Sequence, residues 1–166
     1  MSYKNKTYVI FDGDNDIWAY GFMKGWKAND NMDFNFSDAH DLNVITDRAS
    51  EETIKSKLRE RFSSAKQVIV LIGKHTKDLY QFVHWELEIA QKLDLPIIAV
   101  NLNEKRSFDA EYCPATLRDK YVVHVSFNAK IIQFALDNFP DEYAKRDLSA
   151  VGNREYNAEK YRSLGL

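Results

Sequence analysis

Residues 67–76 have the sequence Gln67-Val-Ile-Val-Leu-Ile-Gly-Lys-His-Thr76, and this stretch decides the fold. Its first six residues are β-branched and almost wholly apolar, which is typical of a central parallel strand covered on both faces. The next four residues predict a tight connection from the end of that strand into a helix. The segment from Leu79 to Leu93 has the periodicity of an amphipathic helix. The sequence therefore predicts a strand, a turn and a helix of an α/β protein.

The same alternation continues on both sides of this unit. Strands are predicted at 7–11, 33–36, 68–72, 96–102 and 121–125, and helices at 16–27, 50–62, 79–93 and 129–138. Strands that alternate with helices indicate a parallel sheet with helices on both faces. With right-handed crossovers, we expect an α/β, flavodoxin-like three-layer fold whose five-stranded, mostly parallel sheet has the order 2-1-3-4-5. One domain is predicted over 1–138, with 139–166 as a C-terminal extension packed on it or trailing it.

A single carboxylate, Glu86, interrupts the apolar face of the third helix. At about 100° per residue, the apolar side chains within roughly 60° of Glu86 are Leu79, Phe82, Val83, Ala90 and Leu93. Glu88 lies on the opposite, polar face and serves as an internal control. A structural glutamate bonded to a backbone amide or an Arg is one interpretation. A functional carboxylate is the other, and it is favoured because open α/β sheets bind ligands at the carboxyl ends of their strands.

The acidic cluster Asp12-Gly-Asp-Asn-Asp16 directly follows the first predicted strand. In the expected strand order this loop meets Gly73–Thr76 at the switch point, close to Glu86. A calcium loop is excluded, because Ile17 stands where glycine is required and Met23 where a bidentate glutamate is required. A solvated loop that caps the first helix and a loop that lines a pocket both remain open.

Composition limits the classes of function. The 166 residues, 45% of them hydrophobic, are enough for one domain with a core. A net charge of −2 and a pI near 6.1 give no electrostatic case for nucleic acid. The single Cys113 fits a reducing cytoplasm, and no run approaches the roughly 18 apolar residues of a membrane span. We therefore expect a cytoplasmic protein that binds neither nucleic acid nor membrane.

Several of these segments together resemble a known family. The most specific are Phe82-Val-His-Trp-Glu-Leu-Glu-Ile-Ala90 and Leu95-Pro-Ile-Ile-Ala-Val100, preceded by Val68–Thr76, by Phe36-Ser-Asp38 and by a first strand ending Val9-Ile-Phe-Asp12. Over about residues 5–103 the chain resembles bacterial TIR-like domains, the homologues of Toll/interleukin-1 receptors and resistance proteins. Within that class it is most similar to the TIR-like proteins of the Thoeris anti-phage systems.

This resemblance implies an activity and a set of site residues. Enzymatic TIR domains cleave the nicotinamide–ribose bond of NAD⁺ with a glutamate four residues past a Trp, in a W-V-x-x-E pattern. The matching segment here is Phe82-Val-His-Trp-Glu86, so the resemblance implies that Glu86 is catalytic. NAD⁺ would then be the substrate, with no further cofactor and no metal. The residues expected to contact it are Phe11, Asp12, Ser37, Asp38, Gly73, Thr76 and Phe82.

Partners also follow from the resemblance. Thoeris proteins of this type make a cyclic ADP-ribose isomer that activates a separate effector, and in enzymatic TIR domains the loop after the second strand often completes a neighbour's pocket. We therefore expect self-association. The chain departs from the family pattern in having Phe82 in place of Trp, and Phe11-Asp12 in place of Ser-Tyr or Ser-Phe.

Two alternatives from other classes remain. One is a non-catalytic TIR-like interaction module. The other is a Mg²⁺-dependent phosphatase that uses Asp12 and Asp14, because Phe11-Asp-Gly-Asp14 resembles the nucleophile and acid/base pair of haloacid-dehalogenase-type enzymes. The usual Thr after that pair is missing, and no paired acidic motif follows a late strand.

Overall fold

The apolar runs of the sequence form the strands of one parallel sheet. The computed structural model describes residues 6–29, 36–37, 50–79, 81–149 and 152–166. The strands are β1 (Thr7–Ile10), β2 (Phe36–Ser37), β3 (Gln67–Ile72), β4 (Ile97–Asn101), β5 (Val123–Ser126) and β6 (Arg154–Glu155). The α-helices are α1 (Ile17–Ala28), α2 (Glu51–Phe62), α3 (Phe82–Lys92), α4 (Ala129–Ala144) and α5 (Ala158–Ser163). Short 3-10 turns lie at Thr76–Asp78 and Ala115–Leu117.

The order of the strands is β2-β1-β3-β4-β5-β6, and every neighbouring pair is parallel. The predicted α/β fold class is confirmed, and its order 2-1-3-4-5 is the order of the first five strands. The sheet also contains β6, which the sequence did not predict. That strand is only two residues long, and both Arg154 and Glu155 are exposed, so no apolar pattern marks it.

The two faces of the sheet support two separate cores. Alternate residues of each strand point to opposite faces. The first core, formed with α1, α4 and α5, contains Val9, Phe11, Ile69 and Leu71. The second core, formed with α2 and α3, contains Tyr8, Ile10, Val70 and Ile72. All six residues of β3 are buried, as expected for a central strand with helices on both faces.

A local signal explains where α2 begins, but not every helix boundary. The Ser50 hydroxyl accepts a hydrogen bond from the Thr53 amide, at 3.3 Å, and so caps α2 as its Ser-Glu-Glu-Thr sequence predicts. Helix α3 begins at Phe82 and not at Leu79, because the residues before it form the 3-10 turn. The prediction that α4 ends at Asn138 is wrong. The helix continues through Pro140 to Ala144, and Phe139 is fully buried in the first core.

The C-terminal residues pack on this same sheet. The Tyr161 side chain of α5 is fully buried, and its hydroxyl accepts a hydrogen bond from the amide of Ser126 in β5, at 3.2 Å. The Arg106 guanidinium lies 4.2 Å from the centre of the Tyr161 ring. The boundary between a domain at 1–138 and an extension at 139–166 stays a prediction. Among the described residues, no helix is long and apolar enough to cross a membrane.

Candidate functional site

Glu86 lies in the middle of α3 and faces the second core. Its side chain is only 8% exposed, and its neighbours on the helix, Val83, Leu87 and Ala90, are buried as well. Burial raises the pKa of the Glu86 carboxyl to about 8. Tyr8 of β1 and Arg61 of α2 act in the opposite direction, because a hydrogen bond from the phenol and the positive charge of the guanidinium both favour the ionised form.

The side chain of Tyr8 lies in the second core, together with the buried face of α3. Its hydroxyl does not meet strict hydrogen-bond geometry with any described residue, yet it lies close enough to Glu86 for each group to change the acidity of the other. Burial raises the pKa of the Tyr8 phenol, and the negative charge of Glu86 raises it further. Tyr8 therefore stays protonated and can act only as a hydrogen-bond donor to an ionised Glu86.

The buried face of α3 differs in part from the predicted stripe. Phe82 is 44% exposed and Leu93 46% exposed, whereas Leu87 and Ile89 are buried. The buried arc is wide and rotated towards Leu87, because α3 packs against α2 on one side and against the turn at Ala115–Leu117 on the other. Phe82 instead lies edge-on to Trp85 at the start of the helix, with ring centroids 5.8 Å apart.

Glu88 behaves as the predicted control. It is half-buried on the outer face of the helix, and its carboxylate lies 3.7 Å from the ammonium of Lys92. The two glutamates of α3, only two positions apart, thus occupy a core and a hydrated surface.

Asp12 uses its carboxylate to shape the turn between β1 and α1. One oxygen accepts hydrogen bonds from the amides of Asp14, at 3.0 Å, and Asn15, at 3.2 Å. The other oxygen accepts from the Asn15 side-chain amide, at 2.7 Å. Asp12 is 1% exposed, so these partners replace the water that the carboxylate loses.

Asp16 brings this turn against the end of β3. It is 7% exposed, and a Cβ placed on Gly73 would overlap its carboxylate. The Gly73 amide donates to the Thr76 hydroxyl oxygen, at 2.8 Å. Burial, and then the charge of Asp12, raise the pKa of Asp16, while the Thr76 hydroxyl lowers it. The predicted meeting of the loops after β1 and β3 is therefore confirmed.

The remaining predicted residues lie in different surroundings. Phe11 is 7% exposed and stacks on Tyr20, with ring centroids 4.8 Å apart, in the first core, whereas Glu86 faces the second. Ser37 is the register partner of Tyr8 in the parallel pairing of β1 and β2. Asp38 lies outside the described residues.

The predicted residues thus form two groups, which we name by their central residues. The Glu86 group contains Glu86, Tyr8, Arg61 and the backbone of Ser37. The Asp12 group contains Asp12, Asp16, Gly73 and Thr76. Sequence reasoning did not select Tyr8 or Arg61, and it named Asp16 only as the end of the acidic cluster. The signal for Tyr8 was its place in β1, where it shares a face with Ile10 and so carries a hydroxyl into a core.

A cavity of about 280 Å³ lies elsewhere, at the amino end of β4 and ahead of β5. It is lined by Gln91, Leu95, Ile97, Asp119, Lys120, Tyr121, Val122, Tyr143 and Arg146. None of the predicted site residues lines it. We place the candidate site at Glu86 because a buried carboxylate with a raised pKa is a candidate for a functional group. Within the described ranges, no group of three His, Cys, Asp or Glu side chains could hold a metal ion.

Comparison with known proteins identifies the class as a TIR-like domain. The family model described as "Thoeris protein ThsB, TIR-like domain" matches residues 3–107, which include Glu86, the whole Asp12 group and strands β1 to β4. The chain belongs to this Thoeris ThsB family, and the resemblance seen in the sequence is confirmed.

Among solved structures, the chain is similar to the TIR domains of the activated Roq1 resistosome directly recognizing the pathogen effector XopQ, with 15% sequence identity and a TM-score of 0.40. The likeness covers 62% of this chain and 60% of the Roq1 chain.

Proposed function

We propose that this protein is a TIR-domain NAD⁺ nucleosidase and cyclase. It cleaves the nicotinamide–ribose bond and makes a cyclic ADP-ribose-type signal, which activates a separate effector in anti-phage defence. The observation that carries the proposal is the buried carboxylate of Glu86, which lies in the part of the chain that matches the ThsB family and at the glutamate position of the enzymatic TIR pattern.

The chemistry needs a negative charge and little water. The bond between ribose C1′ and the pyridinium nitrogen breaks, its electron pair stays on nicotinamide, and the ribose gains oxocarbenium character. An ionised Glu86 stabilises this cation strongly, because its apolar surroundings screen the charge little. Attack on C1′ by water, with loss of a proton, gives ADP-ribose. Attack by a hydroxyl or ring nitrogen of the same ligand gives a cyclic product, which exclusion of water favours.

Other predicted contacts receive unequal support from their positions. Phe82, at the start of α3, offers a partly exposed ring to nicotinamide or adenine, whereas Phe11 is buried and stacks on Tyr20. Gly73 and Thr76 lie at the carboxyl edge of β3, where their backbone would approach a ribose or a phosphate. Asp12 would contribute indirectly to substrate binding, because its carboxylate holds the turn between β1 and α1 in shape. Ser37 and Asp38 remain proposed ribose contacts.

Incubation of the purified protein with NAD⁺, followed by chromatography and mass spectrometry, tests the proposal. We expect release of nicotinamide. The other product should have the mass of cyclic ADP-ribose or of ADP-ribose, and both can form together. Glu88→Gln is the matched control and should cleave NAD⁺ like the wild type. If the folded protein, at high concentration and with infected-cell extract added, released no nicotinamide, the proposal would be wrong.

An interaction module is the second candidate, and one observation favours it. The outer face of α1 exposes Ile17, Trp18 and Phe22, and the space above Gly21 and Gly25 is open. An exposed apolar face of this kind is a common mark of protein–protein contact. The phosphatase alternative has less support, because the hydrogen bonds of its own loop occupy the Asp12 nucleophile that it requires.

Self-association is part of the proposal and has its own test. We expect specific activity to rise with protein concentration, because a neighbouring subunit would complete the pocket. Residues 39–50, from which this contact was predicted, lie outside the described residues except for Ser50. Activity would be measured over a hundredfold dilution, with light scattering on the same samples. A constant specific activity in a protein that is monomeric throughout would show that one chain holds a complete pocket.

A further inference from the structure

The cavity at the amino edge of the sheet has no role in the proposed reaction. It lies between the end of α3, the start of β4, the loop before β5 and the end of α4. Its volume of about 280 Å³ is close to the lower limit of ligand pockets, roughly 300 Å³, and suits a small molecule. Leu95, Ile97 and Val122 form an apolar wall, whereas Lys120 and Arg146 bring positive charge. The lining therefore combines an apolar surface with a cationic one.

Arg146 is the fixed charge of this cavity. Its side chain is only 14% exposed, and its guanidinium carbon lies 3.6 Å from the centre of the Tyr143 ring. One nitrogen, Nη1, donates to the carbonyl oxygen of Tyr143, at 2.6 Å. The other, Nη2, donates to a carboxylate oxygen of Asp94, at 2.9 Å. A guanidinium held in place by a ring and a carbonyl is suited to binding a carboxylate or a phosphate.

Asp94 occupies these donors with a side chain of the protein itself. The Tyr143 hydroxyl donates to the same Asp94 oxygen, at 2.7 Å, so this oxygen accepts from both a phenol and a guanidinium. Burial, and then the hydrogen bond to Asp94, raise the pKa of Tyr143 to about 12, so the phenol remains a donor. The Asp94 side chain is nevertheless 71% exposed. Because so exposed an ion pair contributes little to stability, an anion from solution can compete with Asp94 for these donors.

Lys120 supplies the second positive charge of the lining. Its side chain is exposed and makes no ion pair within the part of the chain that the structure describes. Asp119 is the acidic residue of the lining and is exposed as well. The lining side chains thus carry two positive charges and one negative charge, so the cavity favours an anion once Asp94 has left Arg146.

We propose that this cavity binds a small organic anion, whose carboxylate or phosphate group displaces Asp94 from Arg146 and Tyr143. The body of the ligand packs against the apolar wall. The inference does not depend on NAD⁺ cleavage, because none of the residues expected to contact NAD⁺ lines the cavity. Asp94 then acts as an internal competitor, and its removal should strengthen binding.

The test titrates the protein with benzoate and with phenyl phosphate, which carry the two kinds of anionic group on a planar ring. Benzyl alcohol is the uncharged counterpart, and inorganic phosphate is the anionic group without a body. Binding is followed through the methyl signals of Leu95, Ile97 and Val122 in carbon-13 NMR spectra. These signals report on the apolar wall, so binding elsewhere on the protein is not counted.

Three variants and a control assign the site. Arg146→Met removes the fixed charge and should weaken binding of the anion about tenfold or more. Lys120→Met should weaken it by a smaller factor. Asp94→Asn removes the competing charge, and asparagine suits the φ of 54° at this position, so binding should tighten about two- to fivefold. Arg154→Gln is the matched control, because its guanidinium lies 5.4 Å from the centre of the Tyr121 ring but does not line the cavity.

Weaker binding to Arg146→Met together with tighter binding to Asp94→Asn would support the proposal, and a preference for benzoate or for phenyl phosphate would identify the anionic group. Methyl signals that neither anion shifts at millimolar concentration would overturn it. Equal binding of benzyl alcohol would exclude an anion site, and equal binding of inorganic phosphate would exclude the apolar wall. An affinity that Asp94→Asn lowers would contradict the competition. Because Asp94 and Lys120 are exposed, their variants keep the test decisive if Arg146→Met fails to fold.

Discussion

Asp12 and Glu86 are both buried carboxylates, and they are stabilised in different ways. Asp12 accepts three hydrogen bonds from its own turn, two of them from backbone amides. Glu86 stands among apolar side chains, with Tyr8 and Arg61 as the described groups that favour its charge. For Asp12 the protein replaces the lost water, whereas for Glu86 it does so only in part.

The comparison separates a structural carboxylate from a candidate for catalysis. A carboxylate whose oxygens are occupied by local amides holds a turn in shape and has little left for a ligand. A carboxylate with a raised pKa and few partners keeps its oxygens for a substrate, at a cost in stability. Glu86 fits the second description, and Asp12 fits the first.

The largest expected effect is on catalysis by Glu86. Glu86→Gln keeps the size of the side chain and removes its charge, so NAD⁺ cleavage should fall by about a thousandfold or more. The measurement is nicotinamide release, with circular dichroism to show that the fold is kept. Asp12→Asn should retain more activity than Glu86→Gln, because an amide oxygen still accepts from the turn. Near wild-type activity in folded Glu86→Gln would remove the distinction between the two carboxylates.

The pH dependence of stability is the next largest effect. The unfolded chain ionises Glu86 near pH 4.5, whereas the folded protein does so near pH 8, so unfolding releases a proton between these values. The Glu86 contribution to the free energy of unfolding should therefore decrease from about pH 4.5 to about pH 8, by a few kcal/mol at about 1.4 kcal/mol per pKa unit.

The free energy of unfolding of Glu86→Gln should lack this decrease. It should therefore rise relative to that of the wild type as the pH increases. Urea unfolding of both proteins at a series of pH values measures the difference. A difference that stays constant across this range would mean that Glu86 is ionised in the folded protein at low pH. The protein would then stabilise the charged form of Glu86, as it does for Asp12.

A smaller effect on stability is expected at Gly73, which follows β3 and lies against Asp16. The methyl of Gly73→Ala would overlap the Asp16 carboxylate, and we expect a loss of about 2 kcal/mol in the free energy of unfolding. Gly25→Ala is the control, because the space beside Gly25 in α1 is open and alanine favours a helix by about 1 kcal/mol. Equal stabilities of the two variants would show that Asp16 does not pack against Gly73 in solution.

Much of this comparison was accessible from the sequence. The apolar run of β3 predicted the central strand, and the helical wheel predicted that Glu86 is buried and Glu88 is not. These signals are local, because each depends on the period of one element. The strand order came from the usual handedness of crossovers and from the common flavodoxin-like order of five-stranded sheets.

The sequence predictions failed where contacts between separate segments of the chain decide which residues are buried or paired. Phe82 and Leu93 are exposed because α2 and the turn at Ala115–Leu117, neither of them adjacent to α3 in sequence, decide which arc of α3 is covered. Phe11 falls into the other core because strand residues alternate between faces, so it cannot share a face with Tyr8. The strand β6 forms because its backbone pairs with β5, and its exposed side chains leave no pattern to detect.

The smallest expected effect is that of metal removal, where we predict none. The Asp12 oxygens are bonded within their own turn, Asp14 is exposed, and the described residues offer no set of three metal ligands. A Mg²⁺ ion held at this turn would need oxygens that the turn already uses. NAD⁺ cleavage should therefore proceed at the same rate after dialysis against EDTA as after addition of Mg²⁺. A strict requirement for Mg²⁺, or a phosphate-ester hydrolysis that Asp12→Asn abolishes, would reverse the assignment and make the Asp12 group the catalytic one.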